Sequence, residues 1–240
     1  MIKGQPLTAV IPVRGGSKGI PGKNLHRLGR DTLLERTIKL AQRCPYIDRV
    51  VVTTDHPEMY AIAQRYGVAA PTLRPAELAT DTAKTVDVVL QVIESVPVKV
   101  GYIVLLQVTS PLRTLADLNG LCEAFEKAEP GARSIVSLVR HDSPHPDKIQ
   151  KIAEDGFVAS YLGKESMVAR QSLPEVYSLN GAFYLTHRDV LIGERSFMPT
   201  AGTLPFVMPP ERSANLDNMM DLQILEALLE KGILTIEEYD

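Results

Sequence analysis

The sequence predicts an α/β fold in which a mainly parallel sheet carries helices on both faces. Short β-branched segments alternate with amphipathic ones along most of the chain, and this alternation is typical of βαβ units. Polar clusters also follow three of the predicted strands directly, at residues 14–24, 53–55 and 107–113. Ligands of parallel sheets gather at the carboxyl ends of strands. The two observations together indicate a ligand-binding α/β domain.

The first part of the chain contains two strand-and-helix pairs. Predicted strands cover residues 9–12 and 49–54, where apolar β-branched side chains dominate. Predicted helices cover residues 33–44 and 57–66, and the second of them ends at Gly67, a residue type that commonly terminates helices. The order strand, helix, strand, helix favours parallel pairing of the two strands.

The middle of the chain continues this order. We predict a helix over residues 83–95, a strand over 101–107, a helix over 115–128 and a strand over 134–139. Between residues 141 and about 179 prolines and charges replace the alternation, with a short strand-like segment at 157–162. We interpret about 140–179 as an inserted subdomain within one domain that spans residues 1–240.

After the insert the pattern resumes. Residues 181–186 and 203–208 read as strands, and residues 218–231 read as a helix that Gly232 closes. These segments complete the predicted sheet and its helical layers.

Composition limits the classes of function. The chain has 240 residues, 45% of them hydrophobic, and a formal net charge of −3. This charge argues against an extended surface for nucleic acid, so any anion site must be local. Cys44 and Cys122 are the only cysteines, no apolar segment approaches the ~20 residues of a membrane span, and the N-terminus lacks a signal peptide's apolar region. We therefore expect a soluble, cytoplasmic protein with no membrane partner.

The loop at residues 14–24 is the most informative segment for function. It holds four glycines and three cations directly after a predicted strand, so its backbone can approach a polyanion closely. It is not a Walker A loop, because Asn24 follows Gly22-Lys23 and Ser17 stands where the first glycine is required. The Gly-x-Gly-x-x-Gly fingerprint of dinucleotide-binding folds is absent too. A triphosphate site is the favoured interpretation, and a solvated glycine turn is the alternative.

Several linked motifs make this interpretation more specific, because the chain resembles the acylneuraminate cytidylyltransferase family, the CMP-N-acetylneuraminic acid synthetases. The segments that carry the resemblance are IPVRGGSKGIPGKNL (11–25), LRPAELATDT (73–82), LLQVTSPLR (105–113), HPDK (145–148), RQSLP (170–174) and NGAFY (180–184). The resemblance spans residues from about 8 to about 230. It implies a three-layer Rossmann-like nucleotidyltransferase fold with a small inserted dimerisation subdomain, in a homodimer or a dimer of dimers.

The resemblance also implies which residues bind the nucleotide, CTP. The matching positions for its phosphates and sugar are Arg14, Gly15, Gly16, Ser17, Lys23 and Asn24. Arg74 and Thr85 match positions near the cytosine and ribose, although by itself Arg74 would be read as an ordinary surface ion pair. Arg14, Lys23 and Asp217 are the expected catalytic residues.

The acidic sugar would lie opposite the nucleotide. The residues that match its surroundings in the family are Gln107, Lys148, Arg170, Asn180 and Tyr184. Lys148 and Arg170 belong to the insert, which in the family forms the dimer contact and can deliver cations into the neighbouring subunit's cleft. Composition alone would make Lys148 a solvated lysine. Ser110 and Arg113 are equally well explained as part of a helix entrance.

Two positions depart from the family pattern. Where the family commonly has two aspartates as Mg²⁺ ligands, this chain has Asn215 and Asp217. The neutral amide of Asn215 can still bind a hard cation, and Asp217 can also be read as a helix N-cap. Ser178 stands where some sialate-specific relatives carry arginine, so the resemblance allows N-acetylneuraminate, legionaminate or pseudaminate as substrate.

The expected reaction is attack of the sugar's anomeric hydroxyl on the α-phosphorus of CTP, giving a CMP-sugar and pyrophosphate, with Mg²⁺ as cofactor. Two alternatives remain open. One is a nucleotidyltransferase that uses another nucleoside triphosphate and a sugar 1-phosphate. The other is a non-catalytic nucleotide-binding regulator.

Overall fold

The computed structural model describes residues 1–96, 100–141, 143–164 and 167–239. In chain order the elements are β1 (Leu7–Pro12), β2 (Arg27–Leu28), β3 (Asp31–Thr32), α1 (Leu33–Arg43), β4 (Arg49–Thr53), α2 (Pro57–Arg65), α3 (Thr85–Ser95), β5 (Tyr102–Leu105), α4 (Leu115–Glu126), β6 (Ser134–Arg140), β7 (Gln150–Ile152), β8 (Val158–Ser160), β9 (Tyr177–His187), α5 (Arg188–Glu194), β10 (Thr203–Met208) and α6 (Met219–Glu230).

Within these residues the main sheet has six strands in the order β10-β6-β9-β5-β1-β4. Strand β1 pairs in parallel with β4 and β5, and β10 pairs in parallel with β6. Strand β9 runs antiparallel to both of its neighbours, β5 and β6. The other five strands point the same way, so their carboxyl ends meet at one edge of the sheet, as the predicted mainly parallel sheet requires.

Helices cover both faces of this sheet, and the pleat of β1 shows how the sequence specifies this. Ala9 and Ile11 pack into the core cluster formed with α1, α2, α4 and α6, whereas Val10 packs into the cluster formed with α3 and α5. Successive side chains of a strand point to opposite faces. An apolar run without polar alternation therefore produces a strand that is buried on both sides, and the predicted three-layer α/β fold is confirmed.

Two helix starts follow directly from local sequence. Thr32 caps α1 and Thr114 caps α4, each in a reciprocal capping box with the acidic residue three positions later. These caps fix where the chain leaves the strand edge and enters each helix. None of the helices within the described ranges is both long enough and apolar enough to cross a bilayer.

The insert contains a β-hairpin. Strand β8 lies inside the segment predicted as strand-like, and it pairs antiparallel with β7, a strand that is not predicted from the sequence. The short helix α5 was also not assigned, although His187 caps it by accepting a hydrogen bond from the backbone N–H of Asp189. Of the predicted insert at about 140–179, residues 142, 165 and 166 lie outside the described residues.

Candidate active site

The glycine-rich loop begins where β1 ends, and neighbouring segments hold it in place. The backbone N–H of Gly15 donates to the carboxylate of Asp55 at 2.9 Å, and Asp55 lies just after the parallel neighbour β4. At the other end of the loop, the Asn24 amide donates to the carbonyl oxygen of Arg14 at 2.8 Å. Gly22 has a left-handed φ of 64°, which glycine adopts at little cost. Hydrogen bonds to side chains therefore hold both ends of the loop, at Gly15 and at Asn24.

The same loop contacts the segment that precedes α6. The Lys23 ammonium donates to the carbonyl oxygen of Leu216 at 2.9 Å, and the backbone of Gly19 approaches that of Asp217 closely. Leu216 in turn donates its N–H to the carbonyl of Thr109, beyond the end of β5. Burial lowers the pKa of Lys23 below its ordinary value. The nearby charge of Arg14 lowers this pKa further, and that of Asp217 raises it. The loop and Asp217 thus form adjoining walls of one cleft.

A cavity of about 440 Å³ lies in this cleft, at the carboxyl ends of the strands. The sequence-predicted residues that line it are Arg14, Ser17, Lys23, Asn24, Arg74, Thr85, Gln107, Asn215 and Asp217. The lining residues that were not chosen from the sequence are Pro12, Leu78, Thr80, Asp81, Ala83, Val88, Val108 and Thr109. Segments distant in the chain therefore converge on one space, as the positions of the polar clusters predict.

Arg74 is buried, so the expectation of an ordinary surface ion pair is wrong. Its guanidinium donates to the hydroxyl of Thr53 at 3.2 Å, to the carbonyl of Thr53, and to the carbonyl of Val13 at 2.9 Å. Burial lowers its pKa to about 10, while Asp55 opposes this shift and Arg14 adds to it. Arg74 thereby ties the ends of β1 and β4 together beneath the cavity and adds positive charge to its floor.

A carboxylate faces the cations of the glycine-rich loop. Arg14 Nη2 lies 2.6 Å from Asp81 Oδ1, and Lys18 Nζ lies 2.5 Å from Asp81 Oδ2. The hydrogen bonds from Lys18 and Arg14 hold the pKa of Asp81 below its ordinary value. Asp81 belongs to the LRPAELATDT segment (73–82), one of those that carry the family resemblance, but no role is predicted for it from the sequence.

Asp217 and Asn215 form the candidate metal-binding pair. The Asn215 amide nitrogen lies 2.8 Å from Asp217 Oδ2, so the two side chains are in direct contact. The reading of Asp217 as a helix cap is wrong, because Asn218 caps α6 and the capping-box carboxylate comes from Asp221. The Asp217 carboxylate is therefore available to the cavity.

The donor set of this pair suits Mg²⁺. The described residues hold no cluster of three or more histidine, cysteine, aspartate or glutamate side chains positioned for a metal. Magnesium, however, commonly takes only one or two protein carboxylates and completes its shell with water and substrate phosphates. One carboxylate and one amide oxygen beside a phosphate-binding loop meet that requirement.

The residues expected around the sugar are not all together. Gln107 lines the cavity, and the three residues Lys148, Asn180 and Tyr184 are not among the residues lining it. Lys148 is exposed at the end of a short helical turn, Pro146–Lys148, in the insert. Arg170 begins another such turn, Arg170–Ser172, and its side chain lies outside what the structure describes.

Asn180 is a buried structural residue in this chain. Its oxygen accepts from the Ser137 hydroxyl at 2.6 Å, and its nitrogen lies 3.0 Å from the Ser213 hydroxyl and 3.3 Å from the Met208 sulfur. These contacts order β9 immediately before Gly181, which faces Gln107 and Asn215. Asn180 therefore supports the cavity wall, while its own amide is directed into the protein.

Tyr184 and the Ser110-to-Arg113 turn also lie behind the cavity. Tyr184 packs with α3 and α5, and its ring centroid lies 6.0 Å from that of Phe197. Burial raises the pKa of its hydroxyl. Ser110 donates to the carbonyl of Asn180 at 3.2 Å, and Arg113 donates to that of Ala182 at 2.9 Å. Ser110 and Arg113 thus take the structural role, which includes fixing the backbone around Gly181.

Comparison with known proteins identifies the family. A family model described as cytidylyltransferase matches residues 8–199. The N-acylneuraminate cytidylyltransferase of Escherichia coli is 31% identical over 226 residues, which cover 94% of this chain and 52% of that protein. The CMP-N,N'-diacetyllegionaminic acid synthase of Legionella pneumophila is 31% identical over 229 residues, covering 93% of this chain and 96% of that protein.

A solved structure supports the fold. The CMP:2-keto-3-deoxy-manno-octonic acid synthetase complexed with CTP superposes with a TM-score of 0.68 at 16% identity, covering 95% of this chain and 99% of that one. The chain spans about half the length of its Escherichia coli and Streptococcus agalactiae relatives. The resemblance read from the motifs is confirmed, and the chain belongs to the acylneuraminate family of cytidylyltransferases.

Proposed function

We propose that the protein transfers CMP from CTP to an acidic nonulosonic sugar and releases pyrophosphate. The observation that carries this proposal is the convergence of Arg14, Lys23 and Asp217 on one cavity at the carboxyl edge of the sheet. Cations on one wall and a carboxylate on the adjoining wall are what nucleotidyl transfer with a metal ion needs.

The reaction is an in-line displacement. The sugar's anomeric oxygen forms a bond to the α-phosphorus, the bond from that phosphorus to the bridging oxygen breaks, and the hydroxyl proton leaves to solvent or a nearby base. Arg14 and Lys23 stabilise the charge that develops on the departing pyrophosphate. The rate gain comes mainly from positioning and charge neutralisation, because no covalent protein intermediate is needed.

Asp217 would hold Mg²⁺, with Asn215 as a second ligand through its amide oxygen. When bound, the ion supplies charge neutralisation for the phosphates and lowers the pKa of a hydroxyl beside it. Asn215 contributes less charge than the aspartate common in the family, so we expect weaker metal binding and a higher Mg²⁺ requirement.

The nucleotide and the sugar would occupy different parts of the cavity. Ser17 and Asn24 would contact the phosphates and ribose from the loop, while Gly15 and Gly16, which are not among the lining residues, would let the loop backbone turn toward them. Arg74 and Thr85 would lie under the cytidine. Gln107, at the opposite end, would contact the acidic sugar, while Asn180 and Tyr184 would support that side from within the fold.

The insert would complete the sugar side from a second protomer, bringing Lys148 and Arg170 to the neighbouring cavity. The hairpin exposes apolar side chains, with Ile152 80%, Phe157 73% and Val158 72% accessible. Such a surface is typical of an interface. Phe157→Asp should therefore yield monomers by light scattering that bind CTP but have lost turnover, and a wild-type protein that is monomeric and fully active would refute the shared site.

The decisive experiment measures pyrophosphate release with CTP, Mg²⁺ and a panel of N-acetylneuraminate, legionaminate, pseudaminate and the eight-carbon acid Kdo. We expect release with at least one nine-carbon acid. UTP and GTP with sugar 1-phosphates serve as the comparison for the other nucleotidyltransferase class. CTP binding without release in any mixture would favour a non-catalytic regulator.

Since CTP is supplied inside the cell, we also propose that the activity is cytoplasmic.

A further inference from the structure

Asp81 is the feature of the cavity that the proposed reaction leaves unexplained. Its carboxylate bridges Arg14 and Lys18, with one oxygen 2.6 Å from Arg14 Nη2 and the other 2.5 Å from Lys18 Nζ. A carboxylate that engages two cations with its two oxygens makes the contacts that two phosphate oxygens would make. Any phosphate group bound by Arg14 and Lys18 therefore has to compete with Asp81.

The segment around Asp81 is built so that the carboxylate can move while its two ends stay fixed. On the N-terminal side Arg74 is buried and bonded to the strand ends, and on the C-terminal side Val86 and Val89 are buried in the core. Between them residues 80–82 are exposed. Apart from the contacts of Asp81 with Arg14 and Lys18, the hydrogen bonds described there are local, such as the one between the Thr80 and Thr82 hydroxyls. Displacement of Asp81 thus needs no rearrangement of the sheet.

The charge balance of the cavity gives this contact a role. Arg14 contributes to lowering the pKa of both Lys23 and Arg74, so the three cations lie close enough to repel one another. Asp81 offsets that repulsion at Arg14. The pKa of Asp81 lies below its ordinary value, so it carries its full charge near neutral pH.

We propose that Asp81 is a displaceable internal counter-ion of the glycine-rich loop, which weakens binding of the triphosphate and promotes the departure of pyrophosphate. Only the effect on pyrophosphate departure rests on the proposed function. The competition itself concerns any polyphosphate that binds to Arg14 and Lys18. Asp81 would therefore lower the affinity for polyphosphate, whereas a ligand-binding residue raises it.

The test is calorimetric titration of inorganic pyrophosphate, with Mg²⁺ and without any sugar, into wild-type protein, Asp81→Asn and Glu77→Gln. Asp81→Asn should bind pyrophosphate about three- to tenfold more tightly, because exposed ion pairs are individually weak and here two are removed. Glu77→Gln removes the same charge from an exposed position of the same segment, so its affinity should stay within about twofold of wild type. Thermal melts check that the variants are folded.

Three results would overturn the inference. Unchanged or weaker pyrophosphate binding by Asp81→Asn would show that Asp81 does not compete, and weaker binding would make it part of the ligand site. An equal gain in Glu77→Gln would show a general charge effect. Absence of binding to both wild type and Asp81→Asn would remove the loop as a pyrophosphate site. If the wild-type protein shows no sugar-dependent reaction but Asp81→Asn still binds pyrophosphate more tightly than wild type, the proposed function is refuted and the role of Asp81 as a counter-ion is retained.

Discussion

The contact between Gly19 and Asp217 offers a sharp test of how the two walls of the cavity are held together. A methyl carbon added at Gly19 would lie 2.0 Å from the carbonyl oxygen of Asp217 and 3.2 Å from its carbonyl carbon. Both neighbours are backbone atoms, so no side-chain rotation can relieve the clash. Gly19→Ala therefore has to push the loop and the Asp217 segment apart.

The size of this displacement sets the expected effect. Non-bonded carbon and oxygen atoms rarely approach closer than about 3 Å, so the gap has to open by about 1 Å. Misplacement of catalytic groups by this distance can cost about 100-fold in rate, which corresponds to about 2.7 kcal/mol in activation free energy. We expect a reduction of that order in kcat/KM for CTP.

The assay is pyrophosphate release with CTP and the best acidic sugar from the panel, and Gly16→Ala is the matched control. A methyl carbon at Gly16 would have no described neighbour within 4 Å, and neither glycine has a positive φ. Both variants add one methyl group to the same loop and restrict its unfolded chain equally. Gly16→Ala should stay within about threefold of wild type.

Two outcomes would refute this reasoning. If Gly19→Ala keeps more than half of the wild-type kcat/KM, then the spacing between the loop and Asp217 does not govern the reaction. If both variants lose activity equally, the cause is stiffening of the loop or a contact with the nucleotide, and the backbone contact is not responsible.

Three further predictions concern single side chains. Asp217→Ala should reduce turnover at least about 100-fold while CTP affinity by calorimetry changes less than about fivefold, and wild-type turnover would remove Asp217 from the mechanism. Lys23→Ala should lower kcat/KM for CTP about 10- to 100-fold because phosphate charge is no longer stabilised, so an unchanged value would count against the loop assignment. Asn180→Ala should lower the free energy of unfolding by about 2 kcal/mol in a urea titration, since the Ser137 and Ser213 hydroxyls lose a buried partner. Wild-type stability with lost sugar binding would instead make Asn180 a ligand residue.

The sequence was most predictive where local pattern decides the structure. A continuous apolar run predicts the doubly buried strand β1, and capping-box residues predict the starts of α1 and α4. No such local pattern indicates the direction of β9. A buried apolar segment reads the same in either orientation, so the sequence does not reveal that β9 returns antiparallel between β5 and β6.

The candidate site shows the same division. The glycine-rich loop and Gln107 follow predicted strands with residue types that point to ligand contact, whereas Asp217 was assigned from the family resemblance. Asn180 and Tyr184 occur in a matching motif, but which way their side chains face depends on the bulge between β6 and β9 and on packing against distant residues. Asp81 could have been found from the sequence as an acidic residue in a matching motif, yet its pairing with Arg14 and Lys18 depends on tertiary structure.

The antiparallel course of β9 has a consequence for how members of this fold can diverge. The insert leaves the sheet at Arg140 and re-enters it at Tyr177, and these two residues pair directly across β6 and β9. Both junctions lie at the carboxyl edge of the sheet. The whole intervening segment can therefore be lengthened, shortened or replaced without disturbing strand register. The part of the chain that we propose contributes to acceptor binding and subunit pairing can thus change while the nucleotide half stays the same.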